Sequence, residues 1–392
     1  MKEIKKLYAF TFFRSFTVFA SISIAFYNSN GLSYFQIMLL QSLYAIVTAL
    51  MEIPSGMLSD MLGRKKTLII GTVSFFTAYL CGALGTGVLE FGLMQILAAV
   101  GQSCYSGTFL ALMYEDINAD KSMDKKANVI FANMQMINLV SALMASLVSV
   151  YVVKYISMRA TYVVTTFMYA ITFVISLVLH EKKGEKATKG DYSLQKYISI
   201  FKESILVIAK SDFVMLFVDM IIFACFANTV LYLQQPMLID RNLPVAYFGV
   251  VTVVITVTTT LALKTVGYIE KKIKSIDKFL KKTTVFVIAM LCSNILVKNA
   301  IWVILTFVVL TIVVRIREIF IMTHINAEIK DNIRATVMSI ISGIEMVGLA
   351  VLGAVIGYCE DVSINFSIIV VSVLMVICYS ILWIMQWKKQ CL

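Results

Sequence analysis

The sequence predicts an all-α polytopic membrane protein: twelve transmembrane helices in two six-helix halves. Three observations carry that prediction. Sixty per cent of the 392 residues are hydrophobic and only 15% are charged, with a mean hydropathy of +0.87. A soluble domain sits nearer half apolar and a quarter charged, and could not hide so much apolar surface. Twelve apolar runs are found, and all but the ninth reach the length of about 20 residues that a helix needs to cross a bilayer. One long polar segment divides these runs six and six.

In order, the spans fall near residues 7–28, 34–57, 67–86, 88–114, 127–152, 158–180, 212–234, 245–268, 283–298, 300–324, 335–357 and 363–386. The first run has membrane length and carries Arg14, so it reads as a span and not as a cleavable signal. The ninth is short and turns into the tenth at Lys298-Asn299. The domains expected are an N-terminal half (1–180), a cytoplasmic linker (181–210) and a C-terminal half (211–392). The linker opens Glu-Lys-Lys-Gly-Glu-Lys. From Leu194 onward apolar residues recur among Lys196, Lys202 and Glu203, the pattern of an amphipathic helix on a membrane surface.

Charge fixes the expected orientation. The net charge is +11, but its distribution does not suggest nucleic acid. Of the 34 Lys and Arg, 26 fall on segments that alternate to one side. Only Lys154, Arg159, Arg241 and Lys298 fall on the other, and Arg14, Lys264, Arg315 and Arg317 lie within or at the ends of spans. By the positive-inside rule both termini are cytoplasmic. The cysteines are scattered singly, with Cys81, Cys104, Cys225, Cys292 and Cys378 in spans. They read as membrane-packing residues, not disulfides or metal ligands. His180 and His324 lie near span ends, too far apart to suggest a metal site. No phosphate-cradling Gly-Lys-Ser/Thr motif occurs, and no nucleophile–base–orienter set is recognisable. No cofactor, no metal and no enzymatic activity are expected.

The chain is organised around Glu52 to Thr67, a short cationic connection between the second and third spans. Its glycines suit a sharp turn and close backbone approach. Asp60 can accept hydrogen bonds from a neighbouring helix N-terminus, Arg64 offers a fork to a carboxylate, and Lys65 and Lys66 hold the loop on the basic side. Over Gly56, Asp60, Gly63, Arg64 and Lys65 the stretch resembles the signature loop of the major facilitator superfamily. Paired with Glu115 or Asp116, Arg64 would form part of a cytoplasmic latch. Asp60 would supply the other part at the start of the eleventh helix near Ala335. The resemblance implies this gating role, and a purely structural hairpin is the other reading. Gly267 to Lys274 offers a weak second copy, with Glu270 and Lys274 standing for Asp60 and Arg64. Two such halves imply a substrate site between them.

A further resemblance, to bacterial drug or antibiotic efflux permeases, rests on Glu-Ile-Pro-Ser-Gly in the second span, Ser106-Gly107 and Ala111 to Glu115 in the fourth, and Asn326 followed by Arg334 to Ser339. The chain departs from proton-coupled drug antiporters at two places. Gln95 to Gly101 holds no Arg, and Val129 to Tyr151 contains neither Gly nor Pro.

Ionisable groups inside spans mark candidate machinery. Arg14, about seven residues or roughly 10 Å into the first span, faces a cavity or snorkels to the interface. Asp219 lies at similar depth in the seventh, so an Arg14–Asp219 pair is expected. Arg315 and Glu318 share a helix face, and Arg317 has no sequence-local partner. For all three, a cavity wall and a buried structural network are the alternatives. Glu345 stands alone at the centre of the eleventh span. A desolvated carboxylate favours its protonated form, so Glu345 is the leading proton-coupling candidate, with Glu318 and Asp219 behind it. A permanently protonated packing role is the alternative. Asn133, Asn138, Asn228, Tyr232 and Gln235 are further cavity candidates. Abundant Met and aromatic residues suit promiscuous apolar ligands as well as lipid-facing helices.

The expected function is a multi-pass transporter of the bacterial plasma membrane, monomeric. It would export a small amphipathic or drug-like compound by alternating access, as a multidrug efflux antiporter coupled to proton entry and conferring antibiotic resistance. A narrow-substrate transporter of a peptide, lipid precursor or sugar, working as exporter or importer, is the first alternative. A non-transporting scaffold or sensor is the second.

Overall fold

A computed structural model describes residues 2–118, 127–181, 202, 205, 214–273, 275–328 and 331–391. Side-chain surroundings are defined for fewer of them: those of Glu115, Asp116 and residues 325–336 lie outside the description, as does nearly all of the linker from 182 to 213 with its expected amphipathic helix. Every regular element among the described residues is helical. The α-helices are α1 (Lys2–Ser15), α2 (Ser23–Ser29), α3 (Tyr34–Leu62), α4 (Arg64–Leu84), α5 (Val88–Asn118), α6 (Ala127–Tyr155), α7 (Met158–Val178), α8 (Val214–Tyr232), α9 (Gln234–Asp240), α10 (Phe248–Leu263), α11 (Val266–Lys272), α12 (Ile276–Leu296), α13 (Ala300–Glu328), α14 (Asp331–Val362) and α15 (Ile364–Cys391). Twelve stretches among the described residues are long and apolar enough to span a membrane.

Three of the spans that differ from the sequence reading do so for a visible structural reason. The first is α1 and α2 joined by a 3₁₀ segment, Val18–Ile22. The seventh breaks at Leu233 and continues through α9 to Asp240, so Gln235 lies inside that span. The ninth begins at Ile276, seven residues earlier than its apolar run, because Ser275 caps it by accepting from the Lys278 N–H. Its first turns carry Lys278, Lys281 and Lys282, which hydropathy alone excludes from the span.

The chain forms two compact units. One holds the described residues of Met1–Leu32, Leu43–Tyr192 and Val245–Val253; the other holds those of Ser33–Ser42, Ser193–Pro244 and Val254–Leu392. Each unit thus takes a short piece of helix from the other half of the sequence.

In the first unit, α4 and α5 cross where Gly71 meets Gly101. A Cβ on Gly71 would lie 3.2 Å from the Gly101 carbonyl, and one on Gly101 would lie 2.8 Å from the Phe75 ring. Small residues let membrane helices approach this closely. Ile4, Leu7, Phe10, Leu68, Phe109, Leu112, Ile130 and Met134 form a core at the basic end. α6 follows the first span through polar contacts: Ser15 donates to Asn138, Ser141 to the Phe12 carbonyl at 2.6 Å, and Ser21 to Ser149 at 3.0 Å. The 3₁₀ segment frees the Val18 N–H, which donates to Thr165 Oγ1 at 3.0 Å, so no buried donor is left over there. The first turn of α10 seats on α6, with Gly249 against the Ser146 carbonyl.

In the second unit, Leu216, Phe217, Met220, Leu280, Ile321, Val337 and Ile341 form the corresponding core. The opening turns of α3 lie on the end of α14. The Tyr34 and Phe35 N–H groups donate to the two carboxylate oxygens of Asp361, at 2.7 and 3.1 Å. Gly353 and Gly357 face Met38, and Ser42 donates to the Ala350 carbonyl at 2.9 Å.

Candidate functional site

The signature connection is tighter than its sequence suggests. α3 continues through Pro54, Gly56 and Asp60 to Leu62, so Gly56 sits inside a helix where an added Cβ would meet nothing within 4 Å. The turn is made by Gly63 alone, at φ +96°, a conformation that glycine adopts freely. α4 starts immediately after it. Glu181 accepts from the Arg64 N–H at 2.6 Å and the Lys65 N–H at 3.3 Å. Its carboxylate therefore neutralises the positive end of α4. A Cβ at Gly63 would lie 2.9 Å from Glu181 Oε2. The Arg64 side chain donates to the Ala111 carbonyl in α5 at 2.6 Å. The expected partners Glu115, Asp116 and Ala335 fall among the side chains outside the description, and the exposed Asp60 makes no hydrogen bond among the described residues. Gly267, in the weak second copy, lies within α11 and makes no comparable turn.

The helix that carries Arg14 begins at Lys2, ahead of the apolar run, and the Arg14 side chain turns to partners in α4 and α5 instead of snorkelling. Its Nη2 donates to Gln102 Oε1 at 2.8 Å, and its guanidinium lies 3.4 Å from the Tyr105 ring centroid and 5.7 Å from that of Phe75. Phe75 and Tyr105 each stand one turn beyond the Gly71–Gly101 crossing, which is why two aromatic faces converge on one cation. Tyr44, Tyr79 and Tyr169 also lie within electrostatic reach of Arg14. The fourth span lacks the expected Arg, but the first span delivers one beside that stretch. Asn133 is exposed and donates to Tyr8 at 3.3 Å.

Arg14 and Asp219, expected as a pair, each have partners within their own unit. Asp219 Oδ2 accepts from Arg317 Nη2 at 2.6 Å, with both side chains almost entirely enclosed. Arg317 Nη1 donates to the Leu280 carbonyl at 2.7 Å and to Thr283 and Thr284 at 2.8 Å each. Tyr379 joins at 3.3 Å, and the guanidinium lies 3.8 Å from the Phe223 centroid. Arg317 is only 1% exposed, so it belongs to a closed network tying α8, α12, α13 and α15 and lines no cavity wall. Asp219, expected as a proton carrier, is neutralised there.

Arg315 is directed elsewhere and forms an exposed ion pair with Glu318 at 2.8 Å. Glu345 is half-buried and makes no hydrogen bond or ion pair among the described residues. It acts electrostatically on Cys225, close to where Gly348 packs against that thiol, and it feels the charge of Glu318. Tyr232 donates to Gln41 at 3.3 Å, and Asn228 is half-buried.

Two arginines have clear partners that the sequence reading did not anticipate. Arg159 donates to the Ala83 and Gly85 carbonyls at 2.8 Å and to Asn30 at 2.9 Å, closing the end of α4. Arg241 donates to the Asn294 carbonyl at 2.8 Å near the end of α12. Cations at helix C-termini oppose the negative end of the dipole.

The fold is that of a membrane transporter and not an enzyme. Residues 7–357 match the Major Facilitator Superfamily, and the chain belongs to it. No curated protein matches the sequence. Among solved structures, the nucleoside transporter NupG is similar, with a TM-score of 0.78 and 13% identity over 98% of this chain and 99% of that one. A POT family transporter in complex with 5-aminolevulinic acid gives 0.74 and 12%, covering 99% and 96%. A bacterial homolog of the human lysosomal transporter Spinster, inward-facing and occupied, gives 0.70 and 14%, covering 97% and 95%. At such identities these likenesses establish the fold alone.

Proposed function

We propose that this protein is a secondary transporter of the bacterial plasma membrane, with both termini cytoplasmic. It exports a small amphipathic or drug-like compound by alternating access, coupled to proton entry. The observation that carries the reading is the contrast between two intramembrane carboxylates. Asp219 is held by Arg317, whereas Glu345 has no partner among the described residues. A carboxylate at such depth is a functional residue by default, and one without a fixed counter-ion can exchange a proton for substrate. The connection built on Gly63, Arg64 and Glu181, with Asp60, Lys65, Glu115 and Asp116, serves as the cytoplasmic latch.

Efflux of a preloaded fluorescent lipophilic compound tests this in cells expressing wild type, Glu345→Gln or no transporter, each with and without a protonophore. Faster efflux by wild type alone, lost with the protonophore and with Glu345→Gln, is the expected result. Equal efflux in all three overturns export of that compound. The second reading is a narrow polar substrate, favoured by the nucleoside and peptide transporters among the structural neighbours. It predicts uptake or exchange of one metabolite class without any change in dye efflux.

A further inference from the structure

We propose that Arg14, with Gln102 and the Tyr105 ring, is an anion-binding subsite, and that the transported compound carries a carboxylate or comparable acidic head on an aromatic or apolar body. This rests on the transport reading and narrows its substrate class.

Arg14 is a permanent cation well inside a span, and such a group needs a compensating partner, water or a ligand. Its hydrogen-bond partner, Gln102, is neutral. The Tyr105 face attracts the cation without neutralising it. Among the described residues no carboxylate touches Arg14. The nearest acid on its own helix, Glu3, lies a full 11 positions earlier and is engaged by Lys6 at 2.8 Å. The two arginines of α13 show another solution, since Arg317 and Arg315 each receive a carboxylate, from Asp219 and Glu318. Arg159 has an amide and a ring without a carboxylate, but it is spent on the Ala83 and Gly85 carbonyls at a helix end, whereas Arg14 donates to no backbone carbonyl among the described residues.

The geometry also holds the guanidinium ready. Nη2 is fixed by Gln102 and the plane is held against Tyr105, while Nε is buried without a partner and Nη1 makes no hydrogen bond among the described residues. A fork held at one corner and on one face can present Nη1 to an anion without first losing side-chain freedom. Phe10, Leu68, Phe75 and Tyr105 surround the guanidinium with apolar and aromatic surface and no second charge.

The test uses the purified full-length protein in nanodiscs of zwitterionic lipid, with empty nanodiscs as background. Equilibrium dialysis compares three probes with one ring and different heads: 1-naphthylacetate, 2-(1-naphthyl)ethanol and 2-(1-naphthyl)ethylamine. The expected result is a preference of about tenfold or more for the acid, as a charge-assisted hydrogen bond gives. Arg14→Gln should abolish that preference and Arg14→Lys should retain part of it. The inference is overturned if wild type binds the acid no better than the alcohol and amine, or if Arg14→Gln keeps the preference. The wild-type ranking decides the matter even if Arg14→Gln does not fold. Binding needs no gradient, so the two readings fail separately. A preference for the acid without dye efflux or exchange removes the transport reading and leaves the subsite. Efflux unaffected by Arg14→Gln, with no preference for the acid, does the reverse.

Discussion

Asp219 and Arg317 are separated by 98 residues and meet at 2.6 Å, with side chains 3% and 1% exposed. Removing one partner of such a buried pair leaves an uncompensated charge and costs about 3–5 kcal/mol, whereas replacing both by apolar groups is often neutral. Asp219→Leu and Arg317→Met should therefore each lower thermal stability sharply in detergent. The double variant should recover most of the loss. Additive losses would show that the ion pair is not the stabilising feature of this network.

Glu181 should matter to the latch as much as the residues of the recognisable motif. Glu181→Ala removes the carboxylate from two N–H groups of α4, and a lost cap costs about 0.5–2 kcal/mol. Gly63→Ala should be worse, since it adds a Cβ at φ +96° within 2.9 Å of the same carboxylate. Hydrogen exchange at residues 64–68 should accelerate in both variants, and unchanged protection would refute the capping role.

Arg159→Gln should loosen the end of α4 by removing two carbonyl partners at 2.8 Å. Faster exchange should appear at residues 82–87 and leave residues 64–68 alone. Arg241→Gln makes the matching prediction for residues 294–298, near the end of α12.

Asp361→Asn keeps the size of the side chain but removes the charge that receives the Tyr34 and Phe35 N–H groups. Weaker protection of residues 34–37 is expected, with a loss of about 1 kcal/mol. An unaltered exchange pattern would assign that contact no energetic role.

Hydropathy and length made the spans legible because a bilayer demands about 20 apolar residues per crossing. The ninth helix shows the limit: Lys278, Lys281 and Lys282 hide its first turns, and only the Ser275 cap marks the true start. Among the sites, Arg14 and Arg317 were visible as unusual charges, but their partners were not. Gln102, Asp219 and Tyr379 come from distant segments, and nothing local in the sequence encodes such pairings. Glu181 reads as the first residue of a polar linker, yet it caps a helix more than a hundred residues earlier. Arg159 and Arg241 did leave a trace, since both stand among the four cations on the side that is otherwise nearly free of them.

The five residues Val18–Ile22 turn about 120° each as a 3₁₀ segment, against about 100° in an α-helix. Thr17, extended at φ −97° and ψ 91° just before them, interrupts the α-helical path as well, so the outer part of the first span does not keep the phase of α1. A helical wheel drawn through the whole span would therefore misassign the faces of Ile24, Phe26 and Tyr27. A one-residue deletion in this segment would redirect every side chain of α2.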